Sequence, residues 1–256
     1  MPQLTPISWY GWRPDAPDER DRLYAEIAEP PRHLPTQVDL RRWCSAVESQ
    51  GSIGSCTAHA LVGNLKFLAR KAGRSVRHLS RLFVYYNARV LEGTAATDDG
   101  AMLRNGVKTL RKLGVCPERL WPYRVRRFAE RPPADCYTAA ADHQVLSYHR
   151  VRGLPEMRQC LAEGFPFVFG MTTYESFEGP KVARTGRVEL PQRGEAKKGG
   201  HSVCAVGYDD RARRFLVRNS WGADWGRNGY FTLPYEYAAN PRRASDFWTI
   251  RAFEGL

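Results

Sequence analysis

The chain is 256 residues long, with 43% hydrophobic and 26% charged residues and a net charge of +12. These are globular proportions, enough for one or two domains with a real core, and they exclude a disordered or fibrous chain. No run of about 18 apolar residues is present to cross a bilayer as a helix. The opening MPQLTPISWYGWRPDAPDERD also lacks the apolar stretch of a secretory signal, so the expected location is the cytoplasm, or outside it by an export route without a recognisable signal peptide.

The arginines fall in scattered pairs (Arg41-Arg42, Arg126-Arg127, Arg213-Arg214, Arg242-Arg243) rather than along one helix. A solvated arginine-rich surface is therefore expected, and no nucleic-acid partner. Six cysteines, at 44, 56, 116, 136, 160 and 204, include no C-x-x-C pair, so no metal is expected and reduced thiols are the starting point.

In chain order, residues 1–38 read as an extension, a short pro-segment. Prolines at 2, 6, 14, 17, 30, 31 and 35 disfavour regular structure, and only Asp18–Glu29 suits a short helix. Trp9, Tyr10 and Trp12 suggest that the extension packs onto the body. Residues 39–145 read as mainly helical. Helices are predicted over Cys56–Ala72, closed by Gly73, over Arg81–Leu91 capped by Ser80, and over Met102–Leu113 ahead of Gly114. Residues 146–256 read as mainly β, with a helix at Pro155–Ala162 and strands around Phe165–Gly170, Ser202–Tyr208, Phe215–Val217, Tyr230–Leu233 and Phe247–Ile250. A helical half followed by a β half is an α+β arrangement, whose seam is a natural cleft.

The chemistry concentrates at that seam. In Gln50-Gly51-Ser52-Ile53-Gly54-Ser55-Cys56, a Gly/Ser loop delivers Cys56 to the first turn of a long helix, where unpaired N–H groups and the helix dipole favour a thiolate. Gln50 brings an amide able to join the Cys56 N–H around an oxyanion. A thiolate needs a proton partner, and histidine has the suitable pKa. His33, His78, His143 and His149 have no distinguishing context, and His59 lies one turn along the same helix but points away from the cleft. His201 heads an apolar strand whose hairpin, centred near residue 210, returns to set Asn219 opposite it, and Trp221 follows to cover that polar contact.

These blocks, Gln50…Gly54-Ser55-Cys56, Gly200-His201 and Asn219-Ser220-Trp221-Gly222 through Gly229-Tyr230, resemble the signature segments of the papain-like cysteine peptidases. The separations also fit, with 145 residues from Cys to His and 18 more to Asn. The resemblance covers roughly residues 38–255, and the start and Cys-Thr variant look most like bacterial members such as xylellain. It implies a two-lobed papain-like fold without a cofactor, acting on a peptide or protein substrate, as a monomer. It makes Cys56 the nucleophile, His201 the acid/base, Asn219 its orienting partner and Gln50 the oxyanion-hole side chain. Trp221 would shield the His–Asn pair, and Trp225 would line the leaving-group side. Gly100 would pair with substrate backbone, and Met171 would wall the main side-chain pocket. Ile53 stands where the family commonly has a half-cystine, Thr57 replaces the usual aromatic, and a Cys116–Cys136 pairing stays open. Two alternatives to a cysteine endopeptidase are a catalytically silent peptide-binding module and a transamidase or deamidase using the same site.

Overall fold

The computed structural model describes residues 10–29, 33–74 and 78–254. Its elements are β1 (Trp12–Arg13), β2 (Gln37–Asp39), α1 (Cys56–Lys71), α2 (Arg81–Leu91), β3 (Ala101–Met102), α3 (Leu103–Lys112), α4 (Ala134–Ala140), β4 (Val145–Arg150) and α5 (Gly153–Ala162), followed by β5 (Phe167–Tyr174), α6 (Glu175–Glu178), α7 (Pro180–Thr185), β6 (Lys197–Asp209), β7 (Arg214–Arg218), β8 (Tyr230–Pro234), α8 (Tyr235–Ala238) and β9 (Ala244–Phe253). Among the described residues no helix is long and apolar enough to cross a membrane.

The helices predicted over Cys56–Ala72, Arg81–Leu91, Met102–Leu113 and Pro155–Ala162 form within a residue or two of their expected ends. Ser80 accepts a hydrogen bond from the Phe83 N–H at 3.1 Å, a cap worth about 1 kcal/mol. In α3, Leu103, Val107 and Leu110 are fully buried on one face, and Gly114 beyond it adopts φ +80°. The β half forms an antiparallel sheet in the order β4-β9-β5-β6-β7-β8, and β2 pairs with β6 beyond the end of β5. Helix α1 is buried along most of its length, including Gly63 and Asn64, because it is the seam: α2 and α3 pack on one side of it and β6 on the other.

Several expectations need correction. Only Tyr24–Glu26 of Asp18–Glu29 turns helically, as one 3₁₀ turn, since Tyr24 is pinned in the core and the flanking backbone bonds the body. Strand β4 and helix α4 lay unread before the strands named from sequence. The arginines are not all solvated. Arg89, Arg104, Arg214 and Arg218 are buried, each satisfied by carbonyls or carboxylates, for example Arg218 donating to the Ser45 and Ala46 carbonyls at 2.6 Å.

The early segment does pack onto the body, although Trp9 lies outside the described residues. Strand β1 pairs in parallel with β3, and Leu23 bridges Arg150. Beneath it lies a charged knot. Arg150 donates to Asp15 at 2.9 Å, Asp21 at 2.9 Å and Asp246 at 3.2 Å, while Arg104 donates to Asp21 at 2.5 Å and to the Ala16 carbonyl. Asp15, with a fully buried side chain, also accepts from the Trp248 indole N–H at 2.9 Å and the Arg104 backbone N–H at 3.0 Å.

Candidate active site

Cys56 opens α1 and is wholly buried. Its Sγ accepts the Ser202 backbone N–H at 3.4 Å, which places the sulfur against the residue that follows His201. Thr57, next along the helix, hydrogen-bonds the Ser202 hydroxyl at 3.0 Å and donates to the Ala101 carbonyl at 3.0 Å, tying the helix start to β6 and β3.

His201 lies at 0% exposure on β6, its Nε2 2.8 Å from the Asn219 Oδ1. That acceptor fixes Nε2 as the protonated nitrogen of the neutral ring and leaves Nδ1, which has no hydrogen-bond partner among the described residues. The contact does not come from the register expected. Cys204 pairs with Arg218 and, past a bulge, Tyr208 pairs with Phe215. The hairpin is therefore centred more than one residue later than predicted, and Asn219 lies beyond the end of β7, not directly across from His201. Two local causes are the four-residue turn carrying Arg213 at φ 52° and the bulge between Ala205 and Gly207. The Asn219 backbone N–H donates to the Gly229 carbonyl at 2.9 Å, which holds the residue close enough for its side chain to reach diagonally.

Gln50 is fully buried and held from both ends. Its backbone N–H donates to the Ser220 carbonyl at 2.9 Å, its Nε2 to the Ile53 carbonyl at 3.0 Å, and its Oε1 accepts from the Ser220 hydroxyl at 2.7 Å. The loop carrying Gln50 and the loop carrying Asn219 are thereby locked to one another. Trp221 tilts over His201 with ring centres 5.0 Å apart, as a cover should. Trp225 is 4% exposed and packs edge-on against Trp221 at 5.2 Å.

Met171 is placed differently from expectation. It pairs across the strands with His201, and cross-strand partners share a face, so Met171 stands on the histidine's face of the sheet, fully buried. Its neighbour Gly170, on the other face, lies under Trp12: an added Cβ there would be 1.8 Å from the indole. His59 is structural. Its Nδ1 lies 3.1 Å from the Ser55 carbonyl, and burial beside Arg81 pushes its pKa down to about 3. All six cysteines are unpaired; Cys116 and Cys136 lie buried in mutual contact as thiols.

The groove is filled by the chain's own early residues. Gly11 threads between Gly54 and Gly100: a Cβ on Gly11 would sit 1.7 Å from the Gly54 carbonyl oxygen, and one on Gly100 (φ +74°) 2.0 Å from the Gly11 carbonyl oxygen. The Ala101 N–H donates to that Gly11 oxygen at 2.7 Å. Tyr10 meets the His201 and Trp221 rings at 6.0 and 6.1 Å and donates its hydroxyl proton to Glu178 at 2.5 Å. Trp12 covers Gly170 and Gly200, and Arg13 pairs with Glu92. Sealing the site works against the thiolate that the helix position of Cys56 favours. Burial pushes its pKa up, outweighing the backbone N–H groups of Ser202, Gly11 and Thr57. Burial likewise lowers His201 to about 4, against the hydrogen bond to Asn219.

Three features escaped the sequence reading. Phe177 packs against His201, Trp221, Trp225 and Phe231 at ring distances of 5.2–6.2 Å. Ser220 was quoted only as part of a motif, and Glu92 closes α2. None stands in a pattern that marks it out before the fold is known.

Comparison with known proteins bears on the family and the fold. The model of the papain family cysteine protease matches residues 34–245. The crystal structure of xylellain, a cysteine protease from Xylella fastidiosa, is 41% identical and superposes with a TM-score of 0.88 over 96% of this chain and 97% of that one. An uncharacterised peptidase C1-like protein of Acanthamoeba polyphaga mimivirus is 37% identical over 94% of this chain and 86% of its own length. The cathepsin B-like CP3 of Giardia intestinalis is 30% identical over 73% of this chain and 63% of its own. A buried thiol at a helix entrance, an imidazole held by an asparagine on the facing sheet and this family match agree: the chain belongs to the papain family of cysteine proteases.

Proposed function

We propose that this protease is an endopeptidase that forms a thioester on Cys56, and that residues 10–13 hold it latent. The observation that carries the reading is the juxtaposition of Cys56 Sγ, 3.4 Å from the Ser202 N–H, with a His201 whose Nε2 is committed to Asn219 and whose Nδ1 is left over. Nδ1 takes the thiol proton, and the sulfur attacks the scissile carbonyl carbon. The oxyanion that develops is met by the Cys56 N–H and the Gln50 amide. His201 then returns the proton to the leaving amine, and afterwards activates a water that opens the thioester.

Polarity follows from the same chemistry. The leaving amine must lie beside His201, so the His201–Trp221 side of the groove takes the part of the substrate C-terminal to the cut. The Gly100–Ala101 side takes the acyl, N-terminal part. The covering segment runs the other way, with Tyr10 beside His201 and Trp12–Arg13 on the acyl side. Chain direction opposite to a productive substrate accounts for its lying over the sulfur uncut. Because chain occupies the groove on both sides of Cys56, interior bonds of a polypeptide are the natural substrates.

The test is hydrolysis of an internally quenched peptide by the full chain, with Cys56→Ala as control. Slow, Cys56-dependent cleavage that rises when the Tyr10–Arg13 contacts are weakened is the expected result. Tight binding with no turnover in any variant would favour a silent binding module.

A further inference from the structure

Arg13 is held by Glu92, the residue that caps the C-terminal end of α2. A carboxylate there faces the negative end of the helix dipole, an unfavourable place for an anion. Glu92 is nevertheless built in firmly. Its Oε1 accepts the Met102 backbone N–H at 2.8 Å and the Asn105 side-chain amide at 3.1 Å, both from the body of the enzyme. Its Oε2 accepts from Arg13, which belongs to the covering segment, and the Glu92 side chain is 3% exposed with that segment in place. Two donors therefore orient the carboxylate whether or not the groove is covered, and the third position is completed only by whatever occupies the groove. When Arg13 leaves, a carboxylate oriented by Met102 and Asn105 faces the acyl side beside β3, the strand on which that occupant pairs.

We infer that Glu92 is a specificity-determining residue, selecting substrates with an arginine or lysine two residues before the one whose carbonyl Cys56 attacks. The spacing comes from the covering segment: Gly11 lies at the sulfur and Arg13, two residues on, reaches Glu92 on the acyl side. The segment thus carries, in reversed chain direction, the side chain the enzyme seeks. This inference rests on the peptidase reading for its meaning in turnover, but the recognition itself is a binding property.

Both levels are measurable in the full chain carrying Trp12→Ala and Arg13→Ala, which frees the groove and Glu92. Internally quenched peptides differing only at that position (Arg, Gln or Glu) give kcat/KM. The same peptides give Kd with Cys56→Ser added. Arginine should exceed glutamine by roughly tenfold in both measures, as for a hydrogen bond to a charged group. Adding Glu92→Gln, which keeps an acceptor for Met102 and Asn105, should bring the ratio close to one, and Glu92→Arg should invert it in favour of the glutamate peptide. An arginine preference that survives Glu92→Gln, or equal Kd values for the three peptides before it, overturns the inference. Absence of hydrolysis with the Kd ranking intact would leave the inference standing and refute the peptidase reading alone.

Discussion

Replacing Trp12 with alanine isolates the largest apolar contact that keeps the groove covered. The indole is 8% exposed and lies on Gly170 and Gly200. Burying a side chain of that size removes about 200 Å² from water, worth about 5 kcal/mol. Its Nε1 is buried without a hydrogen-bond partner among the described residues, which offsets that gain by about 2 kcal/mol. The remaining ~3 kcal/mol is the contribution of Trp12 to the covered state, and it converts to roughly a hundredfold rise in the fraction of molecules with the groove open. Iodoacetamide reports that fraction directly, because Cys56 is at 0% exposure when covered. Peptide mapping by mass spectrometry should show Cys56 alkylated about a hundredfold faster in Trp12→Ala. Cys160 and Cys204, buried in the core, should keep their slow rates. An unchanged Cys56 rate would refute the estimate. A parallel rise at all three cysteines would show global loosening instead of local opening.

Arg150→Met should lower the melting temperature by about 10 °C in a calorimetric scan, since it leaves Asp15, Asp21 and Asp246 without their shared cation, a loss of several kcal/mol for buried carboxylates. Asn219→Ala frees the His201 ring to turn, so kcat should fall roughly a hundredfold with KM little changed in the groove-opened chain; an equal loss in both parameters would argue for a binding role. Stability should decline as pH falls below 6.5. His59 and His201, lowered by burial to about 3 and about 4, stay neutral in the folded chain while the unfolded chain takes up protons, so their stabilising contribution is complete above 6.5 and is lost on acidification, each at up to about 1.4 kcal/mol per pH unit. Asp15, raised to about 6 mainly by burial, opposes this between about pH 6 and 4, because its folded form holds a proton more readily than the unfolded one. Two histidines outweigh one aspartate, and thermal melts of His59→Gln should show a shallower acid slope; a steeper one would contradict this balance.

The helices around Cys56 were legible because they carry local information: apolar residues at helical spacing and a glycine after the last turn, with a serine cap on α2. Cys56, Gln50, His201 and Asn219 stood out because Gly/Ser loops and a strand-start histidine are local signals, and the structure brings His201 to Asn219, and Cys56 to the residue after His201. The hairpin register was not legible. A four-residue turn with Arg213 in the left-handed region and a bulge at Ala205–Gly207 leave no periodic trace, and together they displace Asn219 from the expected rung. The path of residues 10–29 was foreseen only as packing of aromatics, because the partners holding it (Arg104, Arg150, Asp246, Glu92) are far apart in sequence. Buried arginines escaped for the same reason: charge in a sequence reads as surface until the fold supplies carboxylates and carbonyls around it. Alternation along β5 puts Met171 on the face of His201 and leaves Gly170 on the face that Trp12 covers, a difference of one residue that apolar composition alone does not reveal.

The passage of Gly11 between Gly54 and Gly100 has a consequence for how such a block responds to dilution. Blocker and target are one covalent chain, so the blocker's local concentration is set by the tether anchored at Asp15 and Asp21, of millimolar order for a short linker, and does not change with the amount of protein. A free Tyr-Gly-Trp-Arg tetrapeptide would lose that advantage and would need comparable concentrations to compete. On the proposed reading, latency of this kind would be the same in a crowded solution and in a dilute assay, and would end when the tether is cut or its footing gives way.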